Sequence, residues 1–410
     1  MRVMALCGAG LLVAVAAVQA EYPDPQPRSI GVGGRAMALG GNYTALAGDL
    51  SALYYNPAGL GFTRAREVSM SLSGLALASR STVFGETTDA DQERLRFGTG
   101  GLVWAVPSKR GGLAFALGYL CPQVLDDAIS WSTDSNSQVE QFELATRGQL
   151  SMWSVGFGLQ VAPGLSAGLT LSLVTGSADI WASRLLMYND TVIAQASFED
   201  DIQRRYVGYD IRLGAMYSIG EWGAVGVRFV LPRTIKFTGE WERSYEPWSS
   251  VDSSEDYDDP GRLRGASECA VSFALKLPAI VLSPEVAFRS PNPAARRHTD
   301  GEYWKIAAGI GAELPLFRTG VLLRAGYRFS EYDDMPYVVF YGEDDAPAPA
   351  ETAKKVVWDN HQITGGIAYV TKGGFSFDIS YGYRLWRYEL GLLEQTYGFH
   401  QVMLAAGLRY

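Results

Sequence analysis

The sequence predicts an all-β protein, a transmembrane antiparallel β-barrel of about fourteen strands with its lumen plugged by an N-terminal segment. Three observations carry this. From about residue 66 onward, apolar and polar residues alternate with period two, and many runs hold the pattern for roughly ten residues or more, the length that crosses a bilayer at a tilt. The connections between runs alternate between short and long. The composition is unlike that of a soluble enzyme: of 410 residues, 47% are hydrophobic and 19% charged, where globular domains average about a quarter charged.

The chain opens with Met1-Arg2 as a short basic start, an apolar run from Leu6 to Val18, and Val18-Gln19-Ala20 at the cleavage positions. This predicts a secretory signal peptide over 1–20, a mature chain from Glu21, and export past the inner membrane of a bacterium-like cell. The run is too short to span a bilayer as a helix, and no other stretch reaches about eighteen uninterrupted apolar residues. Cys7 leaves with the signal. The formal charge of −9 argues against nucleic acid as a partner.

Residues 66–410 form the barrel, with strands expected near 66–79, 94–106, 111–124, 148–162, 165–184, 204–219, 222–243, 262–277, 280–291, 302–314, 317–331, 357–371, 373–388 and 396–410. In 375–385, Phe375, Phe377, Ile379, Tyr381, Tyr383 and Leu385 share one face, and Ser376, Asp378, Ser380, Gly382 and Arg384 the other. Short connections (PSKRG, APG, IGEW, LPA, PLF and the bend at Lys372) face long polar ones such as LDDAISWSTDSNSQVEQFELATR, which puts the short side in the periplasm. Trp104, Trp153, Trp222, Trp241, Trp358 and Trp386 lie near strand ends, as girdle residues do. A β-propeller is the competing all-β fold, but no repeat of about forty to fifty residues is present. Parity sends Asp210, Arg212, Arg228, Glu285, Lys305, Arg324, Arg328, Asp378 and Arg384 to the lumen. It sends Cys121 and Cys269 to lipid on separate strands, which argues against a disulfide.

Residues 21–65 are the plug. A barrel this wide is not filled by its own wall side chains, and this segment has the chemistry to pack inside it. Asp49 can cap a short helix, SALYY, and Pro57 ends that helix at Asn56. Gly59 and Gly61 allow close approach to a wall. The run GGRAMALGGNYTALAGDLSALYYNPAGLGF, with Asn56-Pro57-Ala58 near its end, resembles the N-terminal hatch of the FadL/TodX family of outer-membrane transporters. PorV-type proteins of a large secretion machine resemble the same stretch.

The resemblance implies a fourteen-stranded barrel plugged by the hatch, and passive outer-membrane passage of hydrophobic molecules such as long-chain fatty acids. It implies a gating role for Asp49, Asn56, Pro57, Ala58 and Gly59, beside a lateral opening. The PorV branch implies the alternative, a barrel that binds exported proteins or secretion components. In the family a kink in the third strand opens the side window. Pro122, which cannot donate to a ladder, either makes that kink or ends the strand at the rim; Pro284 is a second break. Extracellular loops of family members capture hydrophobic ligand, so Trp131 and Phe142 in 125–147 and Leu186 and Met187 in 185–203 are candidates here. Arg212, Arg228 and Arg324 are candidates for a ligand carboxylate, which suits the guanidinium fork; a salt-bridged wall is the other reading of the same charges.

Outer-membrane lipid and lipopolysaccharide are expected partners. The last strand, HQVMLAAGLRY, resembles a signal read by the outer-membrane assembly machinery at its C-terminal Tyr410. No cofactor and no metal site are expected. The acidic run DSSEDYDDP lacks EF-hand spacing and reads as a solvated loop or a calcium or lipopolysaccharide contact. Enzyme readings find little support: His298, His361 and His400 are scattered and no HExxH is present. A Ser–His pair on the outer wall around His400 is left for geometry to decide.

Overall fold

The computed structural model describes residues 28–29, 31–83, 86–107, 111–135, 138–188, 194–246, 253–258, 260–290, 304–316, 320–331, 337–340, 359–390 and 393–410. The signal peptide, Trp358 and His298 lie outside them.

Fourteen barrel strands are described: β1 (Glu67–Val83), β2 (Glu86–Val106), β3 in two pieces (Leu113–Val124 and Asp127–Ser135), β4 (Gln138–Ala162), β5 (Leu165–Tyr188), β6 (Ala194–Ser218), β7 in two pieces (Gly223–Val230 and Arg233–Glu246), β8 in three pieces (Ser253–Asp258, Gly261–Gly265 and Glu268–Lys276), β9 (Val281–Arg289), β10 (Lys305–Leu316), β11 (Val321–Ser330), β12 (Asp359–Val370), β13 (Phe375–Leu390) and β14 (Leu393–Arg409). Neighbours pair antiparallel. The sheet closes where β1 pairs with β14, from Glu67↔Arg409 to Val83↔Leu393, so no long edge is left unpaired there. Pro232 and Pro260 fall in the interruptions of β7 and β8, as a residue without an N–H must. Pro284 leaves a gap in the β8–β9 ladder without changing its register.

The period-two pattern sorts the two faces. In β1, Val68, Met70 and Leu72 are exposed while Ser71, Ser73, Leu75 and Leu77 are buried. In β13, Phe375, Phe377, Ile379 and Tyr381 are exposed, and Ser380 and Trp386 are buried. The outside is thus a belt of large apolar side chains, more than a soluble surface carries. The short-connection ends fall close to the expected positions. The long-connection ends run on: β4 starts at Gln138 and β6 at Ala194, because strands that leave the apolar belt keep their ladders although their outer faces turn polar.

Inside lies the N-terminal segment, with two short helices, α1 (Gly34–Ala38) and α2 (Ala52–Tyr55), and a 3-10 helix, Pro57–Phe62. Val32, Met37, Leu39, Tyr43, Leu53 and Leu60 are buried. The expected helix stop holds: Asn56 is extended at φ −165° and Pro57 opens the 3-10 helix. Asp49 differs from expectation. The helix begins at Ala52, and the Asp49 carboxylate instead accepts from the Ser51 N–H (3.0 Å) and hydroxyl (2.5 Å), closing the turn before it.

Parity fails at Cys121, and the girdle expectation fails at Trp386 and Trp241. Cys121 is buried rather than lipid-facing, because a bulge at Cys121-Pro122 shifts the β3–β4 register from Leu120↔Met152 to Gln123↔Leu150. Trp386 is also inside, stacked on Tyr397 at 5.0 Å in an apolar lumenal cluster with Leu75, Leu77, Cys121 and Phe399. Trp241 is half-buried and donates its indole N–H to Asp200 (2.8 Å). Trp104, Trp153 and Trp222 are exposed as girdle residues should be.

Candidate functional site

Asn56 is fully buried and ties three pieces of backbone together. Its amide donates to Thr44 O (2.8 Å) and to Ala215 O of β6 (3.2 Å), and its carbonyl accepts from Ala58 N–H (3.1 Å). Ser166 of β5 donates to Ala58 O (2.6 Å). This close approach needs walls without side chains: a Cβ on Gly214 of β6 would overlap Asn56 Oδ1, one on Gly168 of β5 would overlap Pro57, and one on Gly59 itself would overlap Ala47 O. The rest of the segment is fixed similarly. Arg35 forms a fork to Glu313 of β10 (2.9 Å twice). Glu285 of β9 accepts from Thr44 N–H (3.0 Å), and Thr364 of β12 donates to Ala38 O (2.9 Å). The Tyr43 hydroxyl donates to Asp49 (2.8 Å) and the Tyr55 hydroxyl accepts from Val32 N–H (3.2 Å). Burial pushes both phenols well above the usual tyrosine range, so both stay neutral.

The second feature is in the wall. The β2–β3 ladder runs from Val106↔Leu113 to Thr99↔Leu120. Past that point β3 bends away at Pro122, and residues 121–129 are buried. Among the described residues, Glu86–Phe97 of β2 pairs with β1 alone. Two N-terminal residues take the freed edge of β3, Ser29 opposite Gln123 and Arg28 opposite Val124. Side chains lace the gap: Arg96 of β2 reaches Asp126 (2.5 Å) and Gln149 (2.8 Å), and Asp126 also accepts from Gly148 N–H (3.1 Å). Phe97, Tyr119 and Trp153 stand in a row, at ring separations of 5.6 and 5.1 Å, with Phe97 and Trp153 exposed and Tyr119 packed against the Cys121 cluster.

The segment and the gap are joined by one chain of contacts. Arg212 donates to Tyr54 O (2.6 Å), stacks over the Tyr54 ring at 3.8 Å, and donates to Asp210 (2.7 Å). Arg233 donates to the other Asp210 oxygen (3.0 Å) and to Gln123 (3.3 Å). Tyr54 lies two residues before Asn56, and Gln123 is the residue after Pro122.

Arg212 and Arg228 also line a cavity of about 100 Å³ beside the segment, on the side of the long connections. Arg324 does not; it is sunk between Glu313 (2.7 Å) and Asp378, which places it in the network that holds Arg35. Trp131 and Phe142 do meet, stacked at 5.4 Å, but on paired strands, β3 and β4, rather than on a free loop. Leu186 and Met187 likewise sit in the β5–β6 ladder, opposite Ala196 and Gln195; the Leu186 side chain is outside the described residues. The outer-wall histidines face tyrosines: His361 meets the Tyr327 hydroxyl at 2.9 Å and His400 the Tyr381 hydroxyl at 2.8 Å. Gly164-Leu165-Ser166-Ala167-Gly168 has the spacing of a nucleophile elbow, yet it runs from the β4–β5 turn straight into β5, and its serine donates to Ala58 O and Leu159 O.

No protein-family model matches the sequence, and no curated protein matches it. Solved structures do match the fold. The P. putida toluene transporter TodX superposes with a TM-score of 0.66 at 13% identity, covering 93% of this chain and 99% of its own. A Pseudomonas aeruginosa FadL homologue gives 0.60 at 12%, over 94% and 98%. The Ralstonia pickettii toluene transporter TbuX gives 0.59 at 14%, over 93% and 99%. The chain has the fold of the FadL/TodX channels. The agreement spans the whole barrel, whereas the motif resemblance covers the N-terminal segment alone. The glycines facing Asn56 and Pro57, the Arg96–Asp126 contact and the Asp210 chain were not singled out from sequence, because a glycine or a lumenal charge gives no sign of its partner.

Proposed function

We propose that the protein is an outer-membrane channel for passive passage of hydrophobic molecules. Residues 21–65 act as its hatch, and ligand leaves sideways through the gap between β2 and β3. The observation that carries this is the end of the β2–β3 ladder at Thr99↔Leu120, beyond which β3 is joined to the buried segment by the chain of contacts Gln123, Arg233, Asp210, Arg212 and Tyr54. The exposed apolar belt supports a membrane location. The names of similar structures, toluene transporters and a FadL homologue, support the hydrophobic class of ligand. Motion of the segment at Asn56-Pro57-Ala58 would pull on Tyr54 and so on the bent part of β3. Trp131 and Phe142 would take up ligand above it. Flow is down a gradient, as no Walker-type loop is present.

The test is uptake of labelled long-chain fatty acid, and of labelled toluene, by cells that lack their own transporter. Protein-dependent uptake of either, altered in the Asn56→Ala/Pro57→Ala double variant, is the expected result. No uptake of either by folded, inserted protein would contradict it.

A further inference from the structure

The outer wall changes character abruptly on β6. Its outward side chains are apolar from Tyr217 to Val207, with Val207 57% and Tyr209 56% exposed, and the next one, Arg205, is an exposed cation. On β7, Lys236 is exposed and stands directly opposite Val207. Thr238 stands opposite Arg205, so Arg205 and Lys236 are diagonal neighbours, roughly 7–8 Å apart at the backbone. Arg262 of β8 is directly opposite Lys236 and shares its face, since the adjacent Leu263 is buried in the core. Cations on three adjacent strands thus stand where the apolar belt ends. Carboxylates come only beyond them: Glu240 and Asp179 opposite Gln203, then Glu242 opposite Asp201. Among the described residues, none of these forms an ion pair with Arg205 or Lys236. Arg262 makes a further contact of its own, so Arg205 and Lys236 are the cations left uncommitted.

The end of an apolar belt marks the depth of the lipid headgroups. Cations there lay their stems along the apolar wall and hold their charge in the polar layer. Like charges on neighbouring strands repel, and an anion between them relieves this. We propose that Arg205 and Lys236, with Arg262 beside them, dock the phosphate of a membrane lipid in the leaflet on the side of the long connections, with its acyl chains along Val207 and Tyr209. The guanidinium supplies a fork for paired phosphate oxygens and the ammonium a point charge. The carboxylates farther out repel the same anion, which confines the phosphate to the edge of the belt. This face points away from the lumen, so the site needs the barrel to stand in a membrane but does not need it to carry ligand.

The experiment is a binding titration of the purified full chain, in an uncharged detergent, with diphosphorylated lipid A, the same lipid stripped of both phosphates, and inorganic phosphate. Saturable binding of lipid A, at least tenfold tighter than of the stripped lipid, is expected, and it weakens as salt is raised. Arg205→Gln/Lys236→Gln is expected to lose at least tenfold in affinity for lipid A and nothing for the stripped lipid. Equal affinity for the two lipids, or unchanged lipid A affinity in a double variant that keeps heat-modifiable migration, would overturn the site. Inorganic phosphate binding as tightly as lipid A would overturn the lipid as its occupant. Should the double variant not fold, the single variants Arg205→Gln and Lys236→Gln decide by the same comparison. Binding is read on isolated protein, so its loss and the loss of cellular uptake are separate results.

Discussion

Asn56 shows how much one buried side chain can fix. Its three hydrogen bonds join the turn at Thr44, the wall at Ala215 and the start of the 3-10 helix at Ala58. Truncation to alanine leaves buried backbone groups unsatisfied, at about 1–3 kcal/mol each. Gly214 is the complementary position. A side chain there must displace Asn56, so Gly214→Val is expected to free the segment without opening the barrel. Limited proteolysis would then cut near residue 56 while heat-modifiable migration stays unchanged; a protected segment would contradict this. Asn56-Pro57-Ala58 was legible in the sequence because the motif is local. Gly214 was not, since nothing in a strand glycine's neighbours tells what approaches it from 158 residues away.

At the scale of elements, the informative object is β3. Pro122 was legible as a break. The inward path of residues 121–129 was not, because strand parity assumes an unbroken register, and the bulge removes it for Cys121 onward. The gap so made is held by a side-chain contact. Asp126→Asn keeps shape but removes the charge that Arg96 meets, at a cost of about 1–3 kcal/mol for a buried charged hydrogen bond. Faster uptake by Asp126→Asn is expected; an unchanged rate would show the contact to be passive. The segment carries its own pH dependence. Tyr43 and Tyr55 have phenol pKa values raised by burial, so their contribution to docking is fully present below the unfolded value of about 10 and is lost as pH rises beyond it. Protease protection of the segment should hold up to about pH 10 and fall above it. Loss of protection between neutrality and that point would show another group in control.

For the whole molecule, alternation and connection lengths were enough to place fourteen strands and their short-turn ends. They could not show how far the ladders continue past the apolar belt, since there both faces are polar or mixed. Trp386 was read as a girdle residue from its nearness to a strand end, although alternation puts it on the lumenal face with Asp378 and Arg384. The central claim is that ligand leaves through the wall between β2 and β3. Its most direct test is uptake by a variant carrying Arg96→Cys and Asp126→Cys, with Cys121→Ala and Cys269→Ala to remove the native thiols, assayed oxidised and then reduced. Uptake abolished by the cross-link and restored by reduction is the predicted result. Full uptake with the cross-link formed would place the exit elsewhere.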